Sequence, residues 1–218
     1  MRVACVGYRK WALNIYDFLC SHTDHDFLIT RNKDQFREEV IQDFNPDIIL
    51  FYGWSWLVPE NLYKNYMCLM LHPSPLPKYR GGSPIQNQII AGETKSKVSI
   101  FVIDKEVDAG DLISQGDLSL EGSLAEILKR IEVIGIDLTI NILKKQYQRT
   151  PQDHSQASYC ARRSEKDSEI TLQELINQPA IYLYNKIRML DDPYPNAYIK
   201  TADNKRLILK VVKILDGN

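Results

Sequence analysis

Four short apolar runs, the first three leading into helix-spaced patterns or turns, restrict this chain to very few folds. Residues 2–7 (RVACVG) are largely apolar and close on a glycine. Trp11, Ile15, Phe18 and Leu19 then recur at helical spacing. Phe27-Leu28-Ile29 is a second run, and Phe36, Val40 and Ile41 mark a helix that stops at Asn45-Pro46. Asp47 to Gly53 holds a third run and Met67 to Leu71 a fourth. Apolar runs without alternation read as strands buried on both faces. Strands alternating with helices imply βαβ units, right-handed crossovers and parallel pairing. The expected fold class is α/β: a Rossmann-like, mostly parallel sheet with helices on both faces, plus a small C-terminal α+β appendage.

The fourth run delivers His72 into an unusual loop. Residues 73–82 contain three prolines and two glycines. Proline fixes φ and glycine opens positive φ, so such a loop is ordered and has special geometry. At the carboxyl end of a buried strand it suits a site. A helix pattern follows from Pro84 to Ala91, then a strand pattern from Val98 to Ile103. An acidic turn carries Asp104, Glu106, Asp108 and Asp111. The third run ends in Gly53-Trp54-Ser55-Trp56-Leu57-Val58-Pro59, and two tryptophans there are unusual for a plain surface loop. The first turn, Gly7-Tyr8-Arg9-Lys10, has one glycine where a dinucleotide fingerprint needs three. Arg9 and Lys10 read equally well as a phosphate contact at a helix start or as a solvated basic loop.

Residues 71–111 resemble the active-site region of the folate-dependent formyltransferases. That family includes methionyl-tRNA formyltransferase, glycinamide ribonucleotide formyltransferase and the sugar N-formyltransferases. The resemblance rests on His72, on Pro73-Ser74-Pro75-Leu76-Pro77-Lys78-Tyr79-Arg80-Gly81, and on Asp108-Ala109-Gly110-Asp111. It implies His72 and Asp108 as the catalytic pair and 10-formyltetrahydrofolate as co-substrate. It implies a folate pocket built from Trp56, Leu57, Val58, Val102, Ile103 and Asp104, and no metal. Trp54 is read as core, and Lys105 and Glu106 as solvated. One position departs from the pattern: the family places an asparagine two residues before the histidine, and here Met70 stands there. A thioether donates no hydrogen bond. Ser74 or an ordered water could fill the place, His72 could act alone, or the chain could bind without reacting.

Formyl transfer needs a neutral amine to attack the formyl carbon, a stabilised oxyanion and a route for the amine's proton. A carboxylate beside a histidine fixes the ring's tautomer. The pair can then donate to the oxyanion and move the proton.

Further on, Ser123 and Glu126 form a capping box ahead of an apolar helix face at Leu124, Ile127, Leu128, Ile131 and beyond. The expected division is a catalytic domain at 1–149, a polar linker at 150–168 and a helix-plus-hairpin unit at 169–218. Arg162-Arg163 with Asp167 resembles the start of the family's C-terminal domain. Leu183, Ile187 and Leu190 give a helix before Pro193-Tyr194-Pro195, and strands at 197–201 and 206–212 flank a hairpin turn.

The acceptor is read from the short appendage and from charge. Lys plus Arg (27) nearly balances Asp plus Glu (28), which argues against a nucleic-acid partner. Both features look most like the sugar N-formyltransferases. The expected acceptor is therefore the amino group of a nucleotide-linked amino-deoxysugar. Lys78 and Arg80 would meet the sugar or its diphosphate, and Tyr194 would stack on the base; loop packing or solvation is an equal reading for each. Methionyl-tRNA or a carrier-bound amino acid is the alternative acceptor. Four cysteines without CxxC spacing suggest free thiols in a reducing compartment. With no leader and no membrane-length run, the expectation is a soluble cytoplasmic protein with no membrane partner. The resemblance leaves a homodimer open.

Overall fold

The first, third and fourth runs are buried as expected, while the second, Phe27 to Ile29, is half-buried at the sheet's edge. Val3 to Val6, Ile48 to Tyr52, and Cys68, Leu69 and Leu71 are all at most 4% exposed. The computed structural model describes residues 1–216; the last two residues of the expected C-terminal unit, 217 and 218, lie outside the described residues. In chain order the elements are β1 (Arg2–Val6), α1 (Lys10–His22), β2 (Asp26–Thr30), α2 (Glu38–Phe44), β3 (Ile48–Tyr52), α3 (Glu60–Asn65) and β4 (Cys68–His72). Then come β5 (Arg80–Gly81), α4 (Pro84–Ile90), β6 (Lys95–Val102), β7 (Leu112–Ser119) and α5 (Leu124–Leu143). The chain finishes with β8 (Tyr159–Cys160), α6 (Leu172–Asn177), α7 (Ala180–Arg188), β9 (Ala197–Lys200) and β10 (Arg206–Leu209).

Six strands form one sheet in the order β2-β1-β3-β4-β6-β7. β2, β1, β3 and β4 are parallel, β6 is antiparallel to β4, and β7 is antiparallel to β6. The chain leaves β1 in one direction for β2 and returns on the other side for β3. The carboxyl ends of β1 and β3 therefore part into diverging loops, and that crevice is where open α/β sheets bind ligands. One face of the sheet packs Ile15, Leu19, Ile127 and Ile131 from α1 and α5. The other packs Ile41 and Leu62 from α2 and α3 against Ala4, Val6, Ile49 and Phe51. A Cβ on Gly135 of α5 would lie 2.7 Å from Ile15 and 2.9 Å from Leu71, so glycine permits this helix to sit close to α1 and the sheet.

The expected linker and C-terminal unit are tied to the rest. Thr150 bridges Leu112, and β8 pairs in parallel with β5. Ile170, Ile187, Met189, Leu190 and Ala197 join the same core as β1 and β3. The stretch at 150–168 is polar, as read from the sequence, yet its backbone is an edge partner of the loop after His72.

One buried ion pair fastens this C-terminal part. Lys186 is 4% exposed, and its Nζ donates to Glu174 Oε1 at 2.6 Å and to the Glu169 carbonyl at 2.6 Å. Burial raises the Glu174 pKa, but the bonds from Lys186 and from the Thr171 backbone outweigh it and hold the carboxyl below the ordinary glutamate value. A depressed folded-state value adds stability above the unfolded value, and that stability is lost as pH falls through the folded one. Glu174→Gln is expected to cost about 2 kcal/mol at neutral pH, because it leaves a buried ammonium without its anion. The loss should shrink as the pH drops below the ordinary glutamate range. Urea unfolding at neutral and acidic pH checks this; equal midpoints for both proteins at neutral pH would contradict it.

Candidate active site

β4 ends on His72, and the loop that follows is held in unusual backbone. Tyr79, Ser83 and Asp108 have positive φ (59°, 51° and 53°), as does Gly81 (95°). Non-glycine residues rarely adopt this region, and such departures cluster at functional sites. Hydrogen bonds fix the loop from behind. Ser74 Oγ donates to the Lys78 carbonyl at 2.9 Å, Ser99 Oγ to the Ser74 carbonyl at 2.6 Å, and Gln115 Nε2 to the Leu76 carbonyl at 3.2 Å.

This frame brings His72 and Asp108 together. His72 is 5% exposed and Asp108 8%. His72 Nδ1 lies 3.5 Å from Asp108 Oδ2, and Nε2 lies 2.8 Å from the Tyr79 carbonyl. The same Asp108 oxygen accepts the Gly81 N–H at 2.8 Å. The Tyr79 carbonyl can only accept, so Nε2 carries a proton. Behind the pair, Gln152 Nε2 donates to the carbonyls of Asp108 and Gly110 at 3.0 and 2.7 Å. Gln152 Oε1 accepts from Arg80 Nη2 at 2.7 Å and from Nε at 3.2 Å. One buried amide thus locks the Asp108 turn to the loop after His72.

The pair opens on a cavity of about 670 Å³, within the range of small-molecule sites. Trp56, Leu57, Val58, Ile103 and Asp104, five of the six residues expected to form the folate pocket, line it together with Met70 and Phe101. Trp56 leans on Tyr8 at 5.1 Å and on Trp54 at 4.7 Å between ring centres. Trp54, read as core, packs on Phe36 and Phe51 and also lines the cavity. Lys105 and Glu106 are exposed, as expected, but stand on its rim. Tyr194 reaches the cavity from the C-terminal part and lies 5.0 Å beneath the Arg9 guanidinium.

Four expectations need correction. Val102 lies outside the lining: on a strand, neighbouring side chains point to opposite faces, and it is Phe101, paired with Met70, that faces the cavity. Lys78 is exposed and also outside the lining; only its backbone serves the loop. Arg80 is 1% exposed and spends its guanidinium on Gln152 and on the Tyr159 hydroxyl, 3.1 Å away, so it props the loop instead of meeting a ligand. Ser74, offered as a substitute donor, is fully buried and already donates to Lys78. Gln86, Arg162 and Arg163 line the cavity without having been singled out for it. The arginine pair was visible only as a domain boundary, and nothing in the sequence marks Gln86 among its amide neighbours.

The cysteines are all free, and burial pushes the Cys68 thiol up to about 12. No helix among the described residues is long and apolar enough to cross a membrane.

Comparison with known proteins gives this geometry a context. Residues 5–132 match the family model described as formyl transferase. Methionyl-tRNA formyltransferase of Syntrophomonas wolfei is 32% identical over 167 residues, covering 72% of this chain and 52% of that protein. The chain spans about half the length of the curated relatives it matches. Among solved structures, methionyl-tRNA formyltransferase from Clostridium thermocellum superposes with a TM-score of 0.90 at 32% identity, covering 100% of this chain and 95% of that one. HypX from Aquifex aeolicus, solved in complex with tetrahydrofolic acid, has a TM-score of 0.82 at 19% identity, covering 97% of this chain and 37% of that one. Solved sugar N-formyltransferases are 15–21% identical and share the fold alone.

Proposed function

This chain belongs to the formyl transferase family, and on that premise we propose that it moves the formyl group of 10-formyltetrahydrofolate onto the α-amino group of methionyl-tRNA. The observation that carries the reading is the buried His72–Asp108 pair, held by the Gly81 N–H and opening on an aromatic-walled cavity. A folate ring is flat and largely apolar on its faces, which suits the wall of Trp56, Leu57, Val58 and Ile103.

The step is an acyl transfer. The acceptor amine uses its lone pair to form a bond to the formyl carbon, and the carbonyl electrons move to oxygen. The carbon–nitrogen bond to the folate then breaks, its electron pair returning to that nitrogen with a proton. His72 and Asp108, with Nδ1 and Oδ2 3.5 Å apart, are placed to take the amine's proton and return it to the folate nitrogen. Groups placed to move protons in this way contribute typically ~10²–10⁴ in rate. Burial of both side chains strengthens their electrostatics by excluding water.

The relatives support this acceptor. The proteins about 32% identical to this chain are methionyl-tRNA formyltransferases, while the sugar enzymes share the fold alone. Arg9, Arg162 and Arg163 stand with Tyr194 on the cavity. Cations beside an exposed ring suit a phosphate and a stacked base, as the 3′ end of a transfer RNA presents, although the chain as a whole carries no basic excess. Tetrahydrofolate release, measured with methionyl-tRNA and in parallel with UDP- and dTDP-linked amino-deoxysugars, tests the reading. Turnover confined to the aminoacylated RNA is expected. Turnover confined to a sugar nucleotide would overturn the acceptor and keep the reaction.

A further inference from the structure

Three buried side-chain donors among the described residues lack a hydrogen-bond partner: Trp54 Nε1, Gln86 Nε2 and Arg163 Nε. All three belong to residues that line the cavity holding His72. Buried polar groups are almost always paired, so an orphan donor on a cavity-lining residue is free to meet a ligand's acceptor.

Gln86 is the most constrained of the three. It is 2% exposed and sits in the first turn of α4. Its two neighbours are amides as well, and both are spent on the scaffold. Asn87 Nδ2 donates to the carbonyls of Gly82 and Ser83 at 3.0 Å each. Gln88 Nε2 donates to the Pro73 carbonyl at 2.9 Å, and its Oε1 accepts from Ser96 Oγ. The Gln88 bond ties α4 to the residue directly after His72. Two positions apart on a helix, Gln86 points to the opposite side from Gln88, and its amide has no such work.

We infer that the Gln86 side-chain amide donates to the oxygen of the formyl group under transfer. The inference rests on the formyl-transfer reading and names a residue for one of its steps. The attacking amine carries hydrogens and needs acceptors. The formyl oxygen is the acceptor at the reacting centre, and it gains negative charge in the transition state. Met70 lies on the same strand as His72, two residues before it, and lines the same cavity with no donor to offer. Ser74 is committed to Lys78. Gln86 lines the same cavity with its donor uncommitted.

Gln86→Met tests this, since it keeps the length and removes the donor. The first readout is binding, followed by tryptophan fluorescence, of 10-formyl-5,8-dideazafolate and of its deformylated counterpart. The native protein should prefer the formylated compound, and the variant should lose that preference roughly tenfold while binding the deformylated one unchanged. With methionyl-tRNA, kcat should fall ~10²-fold at nearly constant KM. The thermal midpoint should hold or rise, because an unpaired buried donor has been removed. If the native protein binds both compounds and the variant keeps the native preference for the formylated one, the Gln86 inference fails and the formyl-transfer reading stands. If the native protein binds neither compound, both fail. A lowered midpoint with the preference intact would make Gln86 a packing residue.

Discussion

His72→Ala should lower kcat for formyl transfer about a thousandfold while folate affinity stays within a few fold of native. His72 faces Asp108 at the cavity wall, with its ring fixed by the Tyr79 carbonyl on the other side. Removing it takes away the ring that works with Asp108 on the amine's proton, and such losses run to ~10²–10⁴. The ring is 5% exposed, and Trp56, Leu57, Val58 and Ile103 give the cavity an apolar wall beside it. The defect should therefore fall on kcat and spare binding. Asp108→Asn should act in the same direction, because an amide cannot take up a proton as a carboxylate does. Pre-steady-state turnover at saturating 10-formyltetrahydrofolate, alongside fluorescence titration of the folate, separates the two effects. A His72→Ala protein that turns over at near-native rate would remove the pair from the mechanism.

The largest expected loss of stability lies at Gly110. A Cβ there would sit 1.9 Å from the Val102 carbonyl oxygen, with the Asp104 carboxylate 3.4 Å away. The near contact is backbone, so no side-chain rotation relieves it. The turn must move off β6, and with it go the two carbonyls that Gln152 holds and the Asp108 side chain that Gly81 holds. Gly110→Ala is expected to cost about 4 kcal/mol, at the upper end for single substitutions, and to reduce activity in whatever fraction stays folded. Gly92→Ala is the control, since nothing lies within 4 Å of a Cβ there, although its φ of 86° makes that change mildly unfavourable too. Urea midpoints for the two variants check this; a Gly110→Ala midpoint equal to native would mean that the turn is not packed against β6.

The sheet was readable because burial on both faces forces continuous apolar runs. β1, β3 and β4 all announced themselves in this way, and the capping box at Ser123 and Glu126 marked the start of α5. β7 escaped notice, because LISQGDLS mixes polar and apolar residues on a strand at the sheet's edge. β5 and β8 are two residues each and exist only as partners of one another. At the site, His72 and Asp108 could be named because their loop and turn resemble those of the formyltransferases. Val102 could not be separated from Phe101 without knowing the register of β6 on β4. Arg80 looked like a ligand contact because nothing local predicts that Gln152, 72 residues later, will bury its guanidinium. Gln86 was hidden for the opposite reason: among three consecutive amides, only the fold shows which one is left unpaired.

The most direct measurement follows the formyl group itself. The native protein would be given 10-formyltetrahydrofolate labelled at the formyl carbon together with methionyl-tRNA, and the aminoacyl product would be released and weighed. Label should appear on the methionine nitrogen, one formyl for each tetrahydrofolate formed, and should vanish with His72→Ala. Tetrahydrofolate formed together with free labelled formate and no formylated methionine would contradict the account, because the cavity would then deliver the formyl group to water.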